Sequence, residues 1–105
     1  VQSILKTKNL CVVDGGFYTC SLAADIISYI CENHHGVLKH APVRLTMPDC
    51  PEPTSFGLTK GFYIRAGNIA REILDTLGVD SKCVQADLPE PAPHDVPGDW
   101  FNGPF

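Results

Sequence analysis

The chain has 105 residues, with 44% hydrophobic, 9% aromatic and 19% charged residues. This is the length of one domain and an ordinary globular composition, which excludes wholesale disorder, collagen and coiled coil. Eight basic against twelve acidic residues give a net charge of −4, the wrong sign for a nucleic-acid face, which needs clustered cations.

No apolar stretch approaches the roughly 20 residues that span a bilayer. The chain opens on Val1 with no basic-then-apolar leader, so no secretory signal is expected, and the missing Met reads as a fragment, a processed product or a trimmed chain. The cysteines are Cys11, Cys20, Cys31, Cys50 and Cys83. Their number is odd and their spacing irregular, unlike a disulfide framework. Cys11 and Cys31 stand in apolar contexts, where cysteine acts as a small hydrophobe. Reduced thiols and a cytosolic or organelle-matrix setting are expected.

In chain order, Val1 to Thr7 reads as the end of a helix. Leu10-Cys11-Val12-Val13 is a continuous apolar run with β-branched members, bounded by Asp14-Gly15-Gly16. Such a run fits a fully buried strand of a parallel sheet. Leu22, Ala23, Ile26, Ile27, Ile30 and Cys31 then recur at helical spacing and predict one buried face. Thr19 or Ser21 can cap that helix by accepting a bond from a free amide of its first turn, and Gly36 can end it in the left-handed region. The second strand is expected at Val43-Arg44-Leu45-Thr46, introduced by Pro42. Pro48, Pro51 and Pro53 forbid helix in the segment that follows, and Thr54 to Gly61 reads as loop. A last helix is expected from Ala66 to Leu77, with Ile69, Ala70, Ile73, Leu74 and Leu77 on its buried stripe and Gly78 as its stop.

Residues 1–86 therefore form the α/β domain, and 87–105 a distinct tail. Five of the nine prolines lie in the tail, with Asp87, Glu90, Asp95 and Asp99 and no Lys or Arg. Such a stretch cannot build its own core. Trp100, Phe101 and Phe105 nevertheless close the chain with apolar area that gains from docking on this domain or on a neighbour.

Chemistry is sparse. Asp14-Gly15-Gly16 lies between strand and helix, where anions collect, yet both the dinucleotide fingerprint and the P-loop lysine are missing, so a tight turn is the plainer reading. Cys31, His34, His35 and His40 concentrate metal-ligand types without the paired spacing of a structural zinc site, and histidines at a helix's last turn also complement its dipole. Cys20 at a helix start has no histidine beside it in sequence, and no nucleophile elbow exists. No catalytic, cofactor-binding or metal residue is assigned. A small metal-binding protein is kept as a lesser alternative.

The order of elements does resemble a known family. Leu10-Cys11-Val12-Val13-Asp14-Gly15-Gly16-Phe17, followed by Ala23-Ala24-Asp25-Ile26, is similar to the carboxy-terminal transketolase-type domain of thiamine-diphosphate-dependent 2-oxo acid dehydrogenase β subunits. Ala41-Pro42-Val43-Arg44-Leu45-Thr46 resembles that domain's second strand, and Pro48 to Pro53 its proline-spaced loop. The likeness covers Ser3 to Gly78, and Asp95 to Phe105 resembles end segments of some members. Departures are Gly15 where the family has a second acidic residue, Thr19-Cys20-Ser21 in place of a small-residue turn, and Thr59 where an acidic residue often stands.

The resemblance implies a three-layer, mainly parallel sheet flanked by helices that lacks the family's first strand-helix-strand unit. It implies a subunit-assembly domain, inactive in isolation, in an oligomeric enzyme of a multienzyme complex. Its partners would be other subunits or domains of that enzyme, and possible contact with the acyltransferase component is implied as well; no nucleic acid or membrane is. Thiamine diphosphate and magnesium would belong to the complete enzyme, and none to this chain. Asp14, Gly15, Gly16, Phe17, Trp100, Phe101 and Phe105 are the candidate interface. The alternative is a stand-alone interaction module that uses the proline-aromatic tail.

Overall fold

The computed structural model describes residues 1–80, 82, 102 and 103. Its elements are α1 (Gln2–Thr7), β1 (Cys11–Phe17), α2 (Leu22–Asn33), β2 (Val43–Met47), α3 (Phe56–Thr59) and α4 (Ala66–Leu77). The molecule is mixed α/β. β1 and β2 pair in parallel, with Cys11 opposite Val43, Val12 opposite Arg44, Val13 opposite Leu45, and Phe17 opposite Met47. A parallel pair needs a crossover, and α2 supplies it, packing against both strands. α4 packs against β2.

The two apolar runs thus lie side by side and point the same way, as their sequence implies. They are not interior strands. Among the described residues the sheet has two strands, so each keeps an unpaired edge, and no residue of either strand is buried. β1 instead alternates, with Val13, Gly15 and Phe17 exposed. The expectation of a fully buried strand fails because burial on both faces needs flanking strands and helices beyond those described.

Between Val13 and Phe17 the register breaks. β1 spends three residues, Asp14-Gly15-Gly16, where β2 spends one, Thr46. This is a bulge inside the strand rather than a turn after it. Glycines suit it because the surplus backbone must bow out of the ladder without side chains to accommodate.

α2 is capped by Ser21, whose Oγ accepts from the Ala24 N–H at 3.2 Å. Its buried line is narrower than the sequence implies. Ala23 and Ile30 are 0% and 3% exposed, whereas Leu22 is 67% exposed, and Ile26 and Cys31 also face outward. A helix on a two-stranded sheet has too little surface opposite it to cover a wide apolar arc. α2 stops at Asn33, and Gly36 takes its left-handed φ of 82° in the following turn.

The approach to β2 is tied back to the chain before β1. The Lys39 N–H donates to the Lys8 carbonyl at 2.8 Å and the Val43 N–H to that of Leu10 at 2.9 Å. The proline segment folds tightly at Cys50, whose N–H donates to the Pro48 carbonyl at 2.8 Å, an inverse-γ-like closure of three residues.

The stretch read as loop contains α3, a single turn begun by the Ser55 carbonyl, which accepts from Leu58 and Thr59. Four residues including Gly57 carry no periodicity, so the pattern could not reveal it. α4 has the expected bounds. At its start the Arg65 N–H donates to Asn68 Oδ1 at 2.9 Å, and Gly78 ends it at φ 70°. None of its residues is buried, and Ile73 and Leu77 are exposed, so the stripe expected to be core is only half covered.

Two substitutions separate core from surface on α2. Ile30→Ala is expected to cost about 2–4 kcal/mol in urea unfolding, and Leu22→Ala less than about 1 kcal/mol. Gly78→Ala is expected to cost about 1–2 kcal/mol, because its φ lies where a Cβ meets the following carbonyl.

Candidate functional site

The carboxyl ends of β1 and β2 are the place where a parallel sheet gathers ligands. Here that end is organised by two aspartates.

Asp14 sits in the bulge, and its carboxylate turns back on the chain. Oδ1 accepts from the Gly16 N–H at 2.9 Å, and Oδ2 from the Ala23 N–H at 3.1 Å. The Gly16 amide foremost, then those of Ala23 and Leu22, hold its carboxyl below the ordinary aspartate value. One side chain thus joins the strand end to the first turn of α2. With Ser21 on Ala24, it occupies the amides that a phosphate would otherwise use. The tight turn expected at Asp14-Gly15-Gly16 is instead a bulge within β1, closed by its own aspartate.

Asp49 does the equivalent work between loops. Its Oδ1 accepts from the Thr19 N–H at 2.8 Å and its Oδ2 from the Thr19 hydroxyl at 2.6 Å. The Thr19 hydroxyl, then its amide, lower the Asp49 carboxyl; the Tyr18 amide and the Arg44 charge add to the effect. Arg44 stands over the Tyr18 ring at 3.6 Å from its centroid, a cation–π contact that also covers the strand end. β1, its following loop, β2 and the proline segment are therefore fastened together at one end of the sheet.

Beside this fastening lies a cleft of about 490 Å³ between β2 and α4, lined in part by Tyr18, Thr46, Asp49, Phe62, Asn68 and Glu72. The Thr46 Oγ1, opposite the bulge, is buried without a hydrogen-bond partner among the described residues. Among those residues no histidine or cysteine lines the cleft; its polar lining includes the Thr46 hydroxyl and the carboxylates of Asp49 and Glu72.

The remaining sequence candidates do not converge. His40 Nδ1 pairs with Asn9 Oδ1 at 2.9 Å, and His34 meets the Tyr29 ring edge-on with centroids 6.2 Å apart. His35 and Cys31 are exposed. Among the described residues no group of three or more His, Cys, Asp or Glu side chains is placed to hold a metal ion. Burial, then the negative charge of Glu72, pushes the Cys11 thiol up, which keeps it protonated. Of the candidate interface, Asp14 and Gly16 are half-buried at the bulge, while Gly15 and Phe17 are exposed. Trp100, Phe101 and Phe105 lie outside the described residues, as does nearly all of the tail.

The Thr19–Asp49 link and the Arg44–Tyr18 contact are not evident in sequence. They depend on a strand register that no local pattern states. The 30-residue separation of Thr19 and Asp49, equal to that of Phe17 and Met47, becomes meaningful only once the strands are paired.

No protein-family model, no curated protein and no solved structure matches this chain. No helix among the described residues is long and apolar enough to cross a membrane.

Both aspartates titrate below the ordinary value of 3.8, so their contribution to stability is complete above that pH and is lost as pH falls through the lowered values. Asp14→Asn and Asp49→Asn are each expected to lower Tm at neutral pH. The gap to wild type should close in strong acid, as followed by circular dichroism.

Proposed function

We propose that this chain is the assembly domain of a thiamine-diphosphate-dependent 2-oxo acid dehydrogenase β subunit, with a transketolase-type carboxy-terminal fold. The observation that carries the reading is apolar surface left outward beside a parallel sheet that has two strands among the described residues. Phe17 is 53% exposed, and Leu22, Ile26 and Tyr29 form an exposed line at helical spacing along α2. Among the described residues no large side chain is fully buried. Outward apolar area on this scale marks a surface that another chain or domain covers. The parallel pairing of Cys11–Val13 with Val43–Leu45 agrees with the element order on which the resemblance rests.

The role is non-catalytic. Asp14 and Ser21 already accept from the Ala23 and Ala24 amides at the start of α2, and a carboxylate in that position repels a diphosphate. In the complete enzyme, thiamine diphosphate and its magnesium would be held by other parts. The partners are the remaining subunits or domains, with the acyltransferase component as a further one, in the cytoplasm or an organelle matrix. The competing module reading rests on the tail, nearly all of which lies outside the described residues.

Mixing the full chain with the cofactor-binding remainder of a 2-oxo acid dehydrogenase β subunit should give a complex in analytical ultracentrifugation, and Leu22→Asp or Ile26→Asp should abolish it while circular dichroism is unchanged. A chain that stays monomeric and binds none of that remainder would overturn the assignment. Deleting Asp95 to Phe105 should lower Tm or release an oligomer; no change in either removes the tail from the interface. Titration calorimetry with thiamine diphosphate and magnesium should show no binding, and micromolar affinity would refute the non-catalytic role.

A further inference from the structure

The walls of the cleft between β2 and α4 differ in chemistry. β2 contributes Leu45 and Met47, and the segment after α3 contributes the buried ring of Phe62, so one side is apolar. α4 contributes Asn68, Arg71 and Glu72. Asn68 precedes Arg71 by three residues and Glu72 by four, spacings that put neighbours on one side of a helix.

These three side chains have capacity to spare. Arg71 and Glu72 are exposed, and neither makes a hydrogen bond or ion pair with a described residue. The Asn68 Oδ1 accepts from the Arg65 N–H, which leaves the amide's Nδ2 to donate elsewhere. Asp49 also lines the cleft, but both of its oxygens already accept from Thr19, so Glu72 is the uncommitted carboxylate. The Thr46 Oγ1, buried in the same lining without a partner among the described residues, is the kind of unmet polar atom that a bound molecule or water completes.

We propose that this cleft binds a free α-amino acid with an apolar side chain. The Arg71 guanidinium, with the Asn68 Nδ2, takes the carboxylate, and Glu72 takes the ammonium. Each end of the zwitterion thus gains charge-assisted hydrogen bonds, the stronger kind. The side chain lies against Leu45, Met47 and Phe62, where it removes apolar area from water. A ligand with one charge only is disfavoured, because an anion meets Glu72 and a cation meets Arg71 without compensation. The volume of about 490 Å³ falls within the roughly 300–1,000 Å³ of small-molecule sites. The inference goes beyond the assembly role and does not rest on it: Phe17, Leu22, Ile26 and Tyr29, which carry that reading, do not line the cleft.

The test titrates the nitrogen-labelled full chain with L-leucine, L-methionine and L-phenylalanine and follows the amide NMR spectrum. Saturable shifts are expected at Thr46, Phe62 and the Asn68 side-chain amide. Glycine, which leaves the apolar wall uncovered, should bind more weakly than leucine. Two leucine analogues separate the charges without any substitution: isocaproate lacks the ammonium and isoamylamine lacks the carboxylate. Each should bind at least about tenfold more weakly than leucine. Arg71→Gln should weaken leucine by about tenfold or more and spare isoamylamine, whereas Glu72→Gln should weaken leucine to a similar degree and spare isocaproate. Both positions are exposed, so circular dichroism and Tm should match wild type. The proposal is overturned by the absence of saturable shifts with all three amino acids up to about 10 mM, or by shifts confined to residues away from the cleft. Equal binding of isocaproate or isoamylamine, or a leucine affinity unmoved by either substitution, overturns it as well.

Discussion

The carboxylate of Asp14 holds this fold's defining turn in place. A parallel pair can form only if the chain leaves one strand, crosses over through a helix and returns in the same direction. The departure point is the demanding one, because the strand end and the helix start both present amides that need acceptors. Asp14 meets both, with Oδ1 on Gly16 and Oδ2 on Ala23. The direction in which α2 leaves the sheet follows from that bridge, and so does the burial of Ala23 and Ile30 against the strands. Asp49 then repeats the device from the other strand, fixing the far side of the same loop through Thr19.

The consequence for ligand binding is that the electropositive start of α2 is satisfied from within. Two carboxylates and the Ser21 hydroxyl accept from the Gly16, Thr19, Ala23 and Ala24 amides. The neighbouring cleft has a mixed polar and apolar lining. Apolar surface on Phe17 and along α2 is the larger feature. A strand end locked by its own side chains, flanked by outward apolar residues, is suited to presenting a fixed shape to a neighbour.

Much of the backbone plan is legible from residues alone. Leu10 to Val13 and Val43 to Thr46 read as parallel strands because they are apolar, β-branched and separated by a helical pattern. Gly78 reads correctly as a stop, and Ser21 is one of the two caps the sequence offers, since such roles are local backbone chemistry. What the pattern could not give is depth of burial. Leu22, Ile26, Ile73 and Leu77 look like core by spacing, yet periodicity says only that they share a face, not that anything lies opposite it. Cys31 falls on the same predicted stripe and is exposed. The strand also continues through Asp14-Gly15-Gly16, where glycine signalled a break, because a carboxylate folding back on Gly16 lets the bulge remain in the sheet.

The size of that bulge has a bearing on how the segment tolerates change. From Val13 to Phe17 one strand advances four positions while its neighbour, from Leu45 to Met47, advances two. Both steps are even, so inside-outside parity survives the irregularity, and Val13 and Phe17 emerge on the same side. Side chains alternate with a period of two, so losing or gaining one residue there would turn Phe17 inward and its neighbours outward. Length changes by pairs of residues keep that parity through the pleat alone, whereas a single-residue change needs a further bulge to restore it.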